Sequence, residues 1–353
     1  MADTKQPRSR ARQACRSSVA AAISGALAVL TIIAAATPVG AAARTGTPIP
    51  ANVVTRPSTT SSPARTAALS VPSGASFSGL VNIGDGRKMY LECMGQGSPT
   101  VILESGYRNN SAVWNFADTS PAVLAGVAKF TRVCAYDRPG TFTYLPPNGK
   151  IDFSRSTPVQ QPTTAASDVS DLHRLLSRAN IPGPYVLVAH SAGGLIAQLY
   201  ASSYSRSVAG MVLVDAFPPV ISQLLGSSWP AYLSILNAVP PGLERYKALE
   251  YLNFGASFRQ VLGACPLPRM PLIVLSHSPN HPFVLPPSAP PGLSKKLETA
   301  WAKGQDYLAS LEPHSVHIIA NTDHYIQTED PQLVIQSIRT VVDDARLALA
   351  PST

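Results

Sequence analysis

Charged residues are scarce in this chain. Lys, Arg, Asp and Glu make up 14% of its 353 residues, against roughly 25% in an ordinary soluble domain. With 45% hydrophobic residues, the chain can bury a sizeable core, which excludes disorder throughout. The length suits one large domain or two small ones. Cysteine is equally scarce. Four residues with no CxxC pair exclude a disulfide-stapled miniprotein and a zinc site built on cysteine pairs. HExxH and GxxxxGK[ST] are both missing, so metal catalysis and phosphate-loop chemistry have no basis here. No internal repeat is present.

What the chain does have is a formal charge of +8, and its location matters. Lys5, Arg8, Arg10, Arg12 and Arg16 face a single acid, Asp3, within residues 1–43. Without that segment, 23 basic and 19 acidic residues remain. The other basic residues are scattered rather than striped, which argues against nucleic acid as a partner. The basic head precedes the apolar run Val19 to Ala36, then Pro38, Gly40 and Ala41-Ala42-Ala43. This order reads as an export signal over 1–43, cleaved after Ala43. The alternative is a retained anchor, since eighteen apolar residues approach a membrane span; the Ala-rich run and its small-residue end favour cleavage, leaving no stable span. Residues 44–75, rich in Thr, Ser, Pro and Ala, read as a disordered tether. The expected location is secreted or in the cell envelope.

From residue 76 the pattern becomes regular. Phe77–Ile83 and Lys88–Met94 flank Gly84-Asp85-Gly86, a hairpin signal. Thr100–Glu104, Thr131–Tyr136, Tyr185–Ala189, Gly210–Val214, Pro271–Leu275 and Val316–Ala320 are short continuous apolar runs. Such runs suit strands covered on both faces. Ala165–Asn180, Ala192–Tyr204 and Pro331–Ala348 carry helical spacing. The alternation predicts an α/β domain over 76–348 with an eight-stranded, mostly parallel sheet. About 55 residues separate the sixth and seventh strands, where a crossover needs about a dozen. Residues 217–269 therefore read as a helical cap over the C-terminal sheet edge, where open α/β sheets place their sites.

The most informative stretch is Ala189-His190-Ser191-Ala192-Gly193. It joins a buried strand directly to a helix, the context of a G-x-S-x-G nucleophile turn with Ala in the first position. Such a turn leaves the Ser191 hydroxyl exposed and the Ala192 amide at a helix N-terminus. The alternative is a serine that merely caps the helix. At this point the chain resembles the α/β-hydrolase fold superfamily, especially exported bacterial esterase-like members. The resemblance covers roughly residues 76–348. It rests on this turn, on Glu104-Ser105-Gly106, on Tyr136-Asp137-Arg138-Pro139-Gly140, on Val214-Asp215-Ala216 and on the His324 loop.

A serine nucleophile needs a base. Of seven histidines, His324 falls in the loop after the eighth strand, which resembles the superfamily's position for the catalytic histidine. The order Ser, acid, His fits as well. His190 reads as structural, His173 as a helix-surface residue, and His314 and His317 as lying before and within the eighth strand. His277 and His281 sit in a Pro-rich loop able to line a pocket.

The acid departs from the commoner pattern. Residues 271–297 contain no Asp or Glu. Asp215, ending the sixth strand, becomes the candidate that orients His324, the alternative being a capping role. Glu104 and Asp137 read as turn braces, and Asp323 as badly placed. For the oxyanion, the Ala192 amide is one expected donor. By resemblance, with Glu-Ser replacing a histidine in the family's loop, the Tyr107 amide is the other.

The resemblance also implies that the strands carrying Cys93 and Cys134 are neighbours able to form a disulfide. The alternative is three buried thiols, Cys15 having left with the signal and Cys265 remaining unpaired either way. The function implied is ester hydrolysis through an acyl-Ser191 intermediate, on a small-molecule ester, without cofactor or metal. Amide cleavage, acyl transfer, or a non-catalytic binding role on the same fold are the alternatives. Oligomeric state is not legible.

Overall fold

A computed structural model describes residues 76–350. The export signal and tether expected over 1–75 lie outside the described residues. The hairpin forms as expected: β1 (Phe77–Gly84) pairs antiparallel with β2 (Arg87–Met94). Gly84, Asp85 and Gly86 all take positive φ in the turn, a conformation that glycine adopts at no steric cost.

The remaining strands of the main sheet are β3 (Thr100–Glu104), β4 (Val133–Tyr136), β7 (Tyr185–His190), β8 (Val208–Val214), β9 (Leu272–Ser276) and β10 (Val316–Ile319). Together they form the expected eight-stranded sheet, in the order β1-β2-β4-β3-β7-β8-β9-β10. Only β2 runs against the others.

The apolar runs have the predicted cause. In β7, Tyr185, Leu187 and Ala189 join one buried cluster, while Val186 and Val188 join the other. Each face is roofed by helices, so neither can be polar. On one side lie α2 (Ala165–Arg178), α3 (Gly193–Ser203) and α7 (Leu293–Ala309); on the other lie α1 (Val123–Val127) and α9 (Pro331–Leu349). A capping box between Thr164 and Ser167 starts α2, and Asp330 with Pro331 starts α9.

Three expectations need correction. Strand β10 is an apolar run but not a buried one: Val316 is 49% and Ile319 62% exposed, because the strand closes the sheet at an edge. Helix α7 was not anticipated, although Leu293, Leu297, Ala300, Trp301 and Leu308 form its buried face. A separate hairpin, β5 (Phe142–Leu145) with β6 (Lys150–Phe153), was also missed; it follows the Tyr136–Gly140 turn.

The interval 217–269 holds α4 (Ile221–Leu225), α5 (Trp229–Asn237) and α6 (Phe254–Leu262). Tyr232, Phe254 and Phe258 are buried in the same cluster as α2 and α3. These three aromatic residues of the interval are therefore core, while Tyr251 is exposed. α8 (Ile326–Glu329) follows β10. No helix among the described residues is long and apolar enough to cross a membrane.

Cys93 and Cys134 stand directly opposite each other in the β2–β4 register and are disulfide-bonded. No free cysteine exists among the described residues, which corrects the expectation of a lone Cys265 thiol. The 93–134 bridge closes a loop with a sequence separation of 41. In the chain-entropy account a loop of that size is worth about 4 kcal/mol. Replacing both cysteines with alanine is expected to lower unfolding stability by about 2–4 kcal/mol in denaturant titration. A loss under about 1 kcal/mol would contradict that role.

Candidate active site

Ser191 stands between β7 and α3 with φ 49°, a left-handed conformation unusual outside glycine. Its backbone is held from both sides. Its N–H donates to Val214 O at 3.2 Å, and its carbonyl accepts from Gly194 N at 2.9 Å and Phe217 N at 2.8 Å. A Cβ on Gly193 would sit 2.6 Å from Ser105 O and 2.8 Å from Glu104 O. The small residue required there is thus imposed by the turn after β3 rather than by Ala189. A Cβ on Gly194 would lie 2.6 Å from that of Ala216, so this glycine lets α3 lie against the strand end of β8.

The turn after β3 abuts the serine: a Cβ on Gly106 would lie 3.0 Å from Ser191 Cβ. Among the described residues, neither the Ala192 nor the Tyr107 amide has a hydrogen-bond acceptor. Arg138 holds the turn in place. Its Nη1 donates to Ser105 O at 2.8 Å and its Nη2 to Gly106 O at 2.7 Å. The same guanidinium pairs with Glu104 and, through Nε at 2.7 Å, with Glu250 Oε1. Burial raises the Glu104 carboxyl to about 7 despite Arg138 and Tyr136. Glu250, from the 217–269 interval, also accepts the Arg108 amide at 2.5 Å. Both Glu104 and Asp137 brace turns as expected, Asp137 through Ser111 and Arg155.

Asp215 follows β8, fully buried, with φ 41°. His324 Nδ1 donates to its Oδ2 at 2.6 Å. The carboxylate accepts three further bonds: from His277 Nδ1 at 2.8 Å, from the His277 amide at 3.2 Å and from Trp301 Nε1 at 2.9 Å. Burial pushes the Asp215 carboxyl up, but the bonds from His277 and His324 outweigh it and hold the group well below the usual carboxylate range. Asp323, judged badly placed, caps the Tyr325 amide at 2.6 Å instead.

His190 was rightly read as structural, yet its contact is specific. It is 1% exposed, and its Nε2–H donates to the carbonyl of His324 at 3.0 Å, tying the histidine loop to the nucleophile turn. Burial, reinforced by nearby His324, lowers it to about 3, so it stays neutral. His277 is buried behind Asp215, its side chain 4% exposed. Its Nε2 faces Glu298 Oε2 at 3.1 Å. Burial pushes His277 down, but bonds to Asp215 and Glu298 carry it up to about 10. The stability its proton contributes is complete below the ordinary histidine value and is lost as pH rises toward about 10.

Sequence reading missed the roles of His277, Glu298, Trp301, Arg138 and Glu250. A signal existed for the first two. His277 is a polar residue directly after a sheet strand, and Glu298 is the first acid after the acid-free stretch. A cleft of about 400 Å³ beside Arg108, Gln161, Leu243, Tyr246 and Tyr251 does not include Ser191, Asp215 or His324.

A mostly parallel sheet with a strained serine turn at the C-terminal end of its central strand defines the α/β-hydrolase class. The chain belongs to the alpha/beta hydrolase family, whose sequence profile matches residues 101–337. An uncharacterized protein of Schizosaccharomyces pombe is 29% identical over 151 residues, covering 36% of this chain; the chain spans only 26% of that relative's length. The uncharacterized protein YqjL of Bacillus subtilis is 26% identical over 253 residues, 70% of this chain and 85% of its own. A probable hydrolytic enzyme from Pseudomonas aeruginosa shares the fold at TM-score 0.50 and 17% identity, over 77% of this chain and 96% of that one.

Proposed function

We propose that this protein is a serine hydrolase that cleaves carboxylic esters through an acyl-Ser191 intermediate. The observation that carries the reading is the 2.6 Å bond from His324 Nδ1 to a fully buried Asp215. This bond fixes the tautomer that leaves His324 Nε2 bare as a base.

In the proposed reaction, Nε2 takes the Ser191 proton as Oγ attacks the ester carbonyl. The negative oxygen that develops is received by the unpartnered amides of Ala192 and Tyr107, each worth about 3–4 kcal/mol in such sites. The imidazolium then protonates the departing alcohol. Water, deprotonated by the same nitrogen, releases the acid and restores Ser191. Phe283, partly buried with its ring centroid 5.1 Å from that of His324, supplies an apolar wall suited to an acyl or aryl group.

We also propose export to the cell envelope or medium. The 93–134 disulfide supports this reading, since such bonds persist in oxidising compartments.

A fluorophosphonate probe tests the chemistry directly. The folded protein is expected to take up one equivalent, with the adduct on the peptide containing Ser191 by mass spectrometry. It should also turn over p-nitrophenyl esters, and a series of acyl lengths would define preference. A folded protein that neither labels nor hydrolyses these esters would overturn the proposal.

A further inference from the structure

The feature that the proposed reaction does not use is the second imidazole on Asp215. His277 Nδ1 faces Asp215 Oδ2 at 2.8 Å, while His277 Nε2 faces Glu298 Oε2 at 3.1 Å. An ionised carboxylate can only accept hydrogen bonds. A ring bonded through both nitrogens to ionised carboxylates therefore carries both protons. With Asp215 and Glu298 ionised, the buried side chain of His277, 4% exposed, is an imidazolium between two anions.

We propose that His277 and Glu298 form a charge-balancing pair behind Asp215, positioning residues that set how readily His324 accepts a proton. This rests on the reading of Asp215 and His324 as acid and base.

The charge arithmetic gives the pair its logic. Asp215 accepts hydrogen bonds from both histidines on the same oxygen. A lone imidazolium there would neutralise Asp215 and weaken its hold on the imidazolium that His324 becomes. Glu298, reaching back from α7, returns one negative charge, so that the trio carries the net charge of a single acid. Glu298 also accepts the Phe283 amide through Oε1 at 2.7 Å. Phe283 in turn lies 4.8 Å from His277 and 5.1 Å from His324, ring to ring.

Among the described residues, the aromatic groups facing the trio and His324 are neutral. His190, from β7, is held deprotonated by burial. Burial likewise raises the phenols of Tyr232, facing Asp215 and Glu298 from α5, and of Tyr325, beside His324. Trp301 Nε1 donates to Asp215 without titrating.

Two measurements test the pair. The first needs no catalysis: ¹⁵N-edited NMR of the folded wild-type protein from pH 5 to 9. It is expected to show His277 with both ring nitrogens protonated throughout. A neutral His277 at pH 7 would overturn the proposal even if the protein hydrolyses esters. An enzyme that fails to label or turn over would defeat the serine-hydrolase reading, while NMR still decides the imidazolium.

The second is the pH profile of kcat/KM. His277→Gln removes the cation and leaves Glu298 uncompensated, so the acidic limb should move up by on the order of one unit. The double variant His277→Gln/Glu298→Gln removes both charges and should bring that limb back to within about 0.3 unit of wild type, the compensation expected of coupled charges. A purely structural pair predicts the opposite order, with the double variant at least as displaced as the single one. That result, or an unmoved limb in His277→Gln, would overturn the proposal.

Discussion

Ser191→Ala is expected to lower kcat for ester hydrolysis by about 10⁶, the scale of loss when a triad serine is removed, and to abolish fluorophosphonate labelling. The change deletes only Oγ. The backbone bonds to Val214, Gly194 and Phe217 do not involve the side chain, and alanine meets the same φ of 49° that serine does. Stability should therefore stay within about 0.5 kcal/mol of wild type, so that lost activity reports chemistry and not unfolding. Labelling that persists at full stoichiometry in the variant would move the nucleophile elsewhere.

Asp215→Asn is expected to cost about 10⁴ in kcat, as the loss of a triad acid does elsewhere. The structural reason is the bonding of one buried carboxylate. Its oxygens accept from His324, from His277 twice and from Trp301. An amide presents one acceptor and one donor group. Either its NH₂ opposes an imidazole N–H, or it forces His324 into the tautomer whose Nε2 carries a proton. In both cases the base is lost, and the imidazolium formed on attack has no counterion. Stability should fall by a few kcal/mol as well, because a buried network at 0% exposure loses its shared anion. Kinetics are therefore compared at a temperature where circular dichroism shows the variant folded. Activity within about tenfold of wild type would reject Asp215 as the acid. Asp323→Asn, whose carboxylate accepts from the Tyr325 amide and faces Glu329, serves as the control and should change kcat by less than about threefold.

Much of this arrangement was legible before any coordinates because its causes are local. The run Tyr185–Ala189 is apolar at every position, and only a strand covered on both faces requires that. The step into Ala189-His190-Ser191-Ala192-Gly193 names the turn and the serine at its apex, since a strand joined to a helix without intervening loop permits few geometries. Asp215 emerged by exclusion from the acid-free stretch 271–297. Edge strand β10 shows the limit of the same reasoning: its residues are as apolar as those of β9, yet they lie half exposed at the sheet margin.

The parts that escaped are those made by residues far apart in the chain. Arg138 carries the turn after β3 by pairing with Glu104 and Glu250, 34 and 112 positions away. Gly193 is required by the carbonyls of Glu104 and Ser105, not by its own turn. His277 and Glu298 meet only because α7 packs across β9. Periodicity and turn chemistry act over a few residues, and they specify which elements form and which serine is strained. Which charges then share a buried space is set by the order of strands and the docking of helices. In a low-dielectric interior those pairings hold His277 protonated and Asp215 ionised.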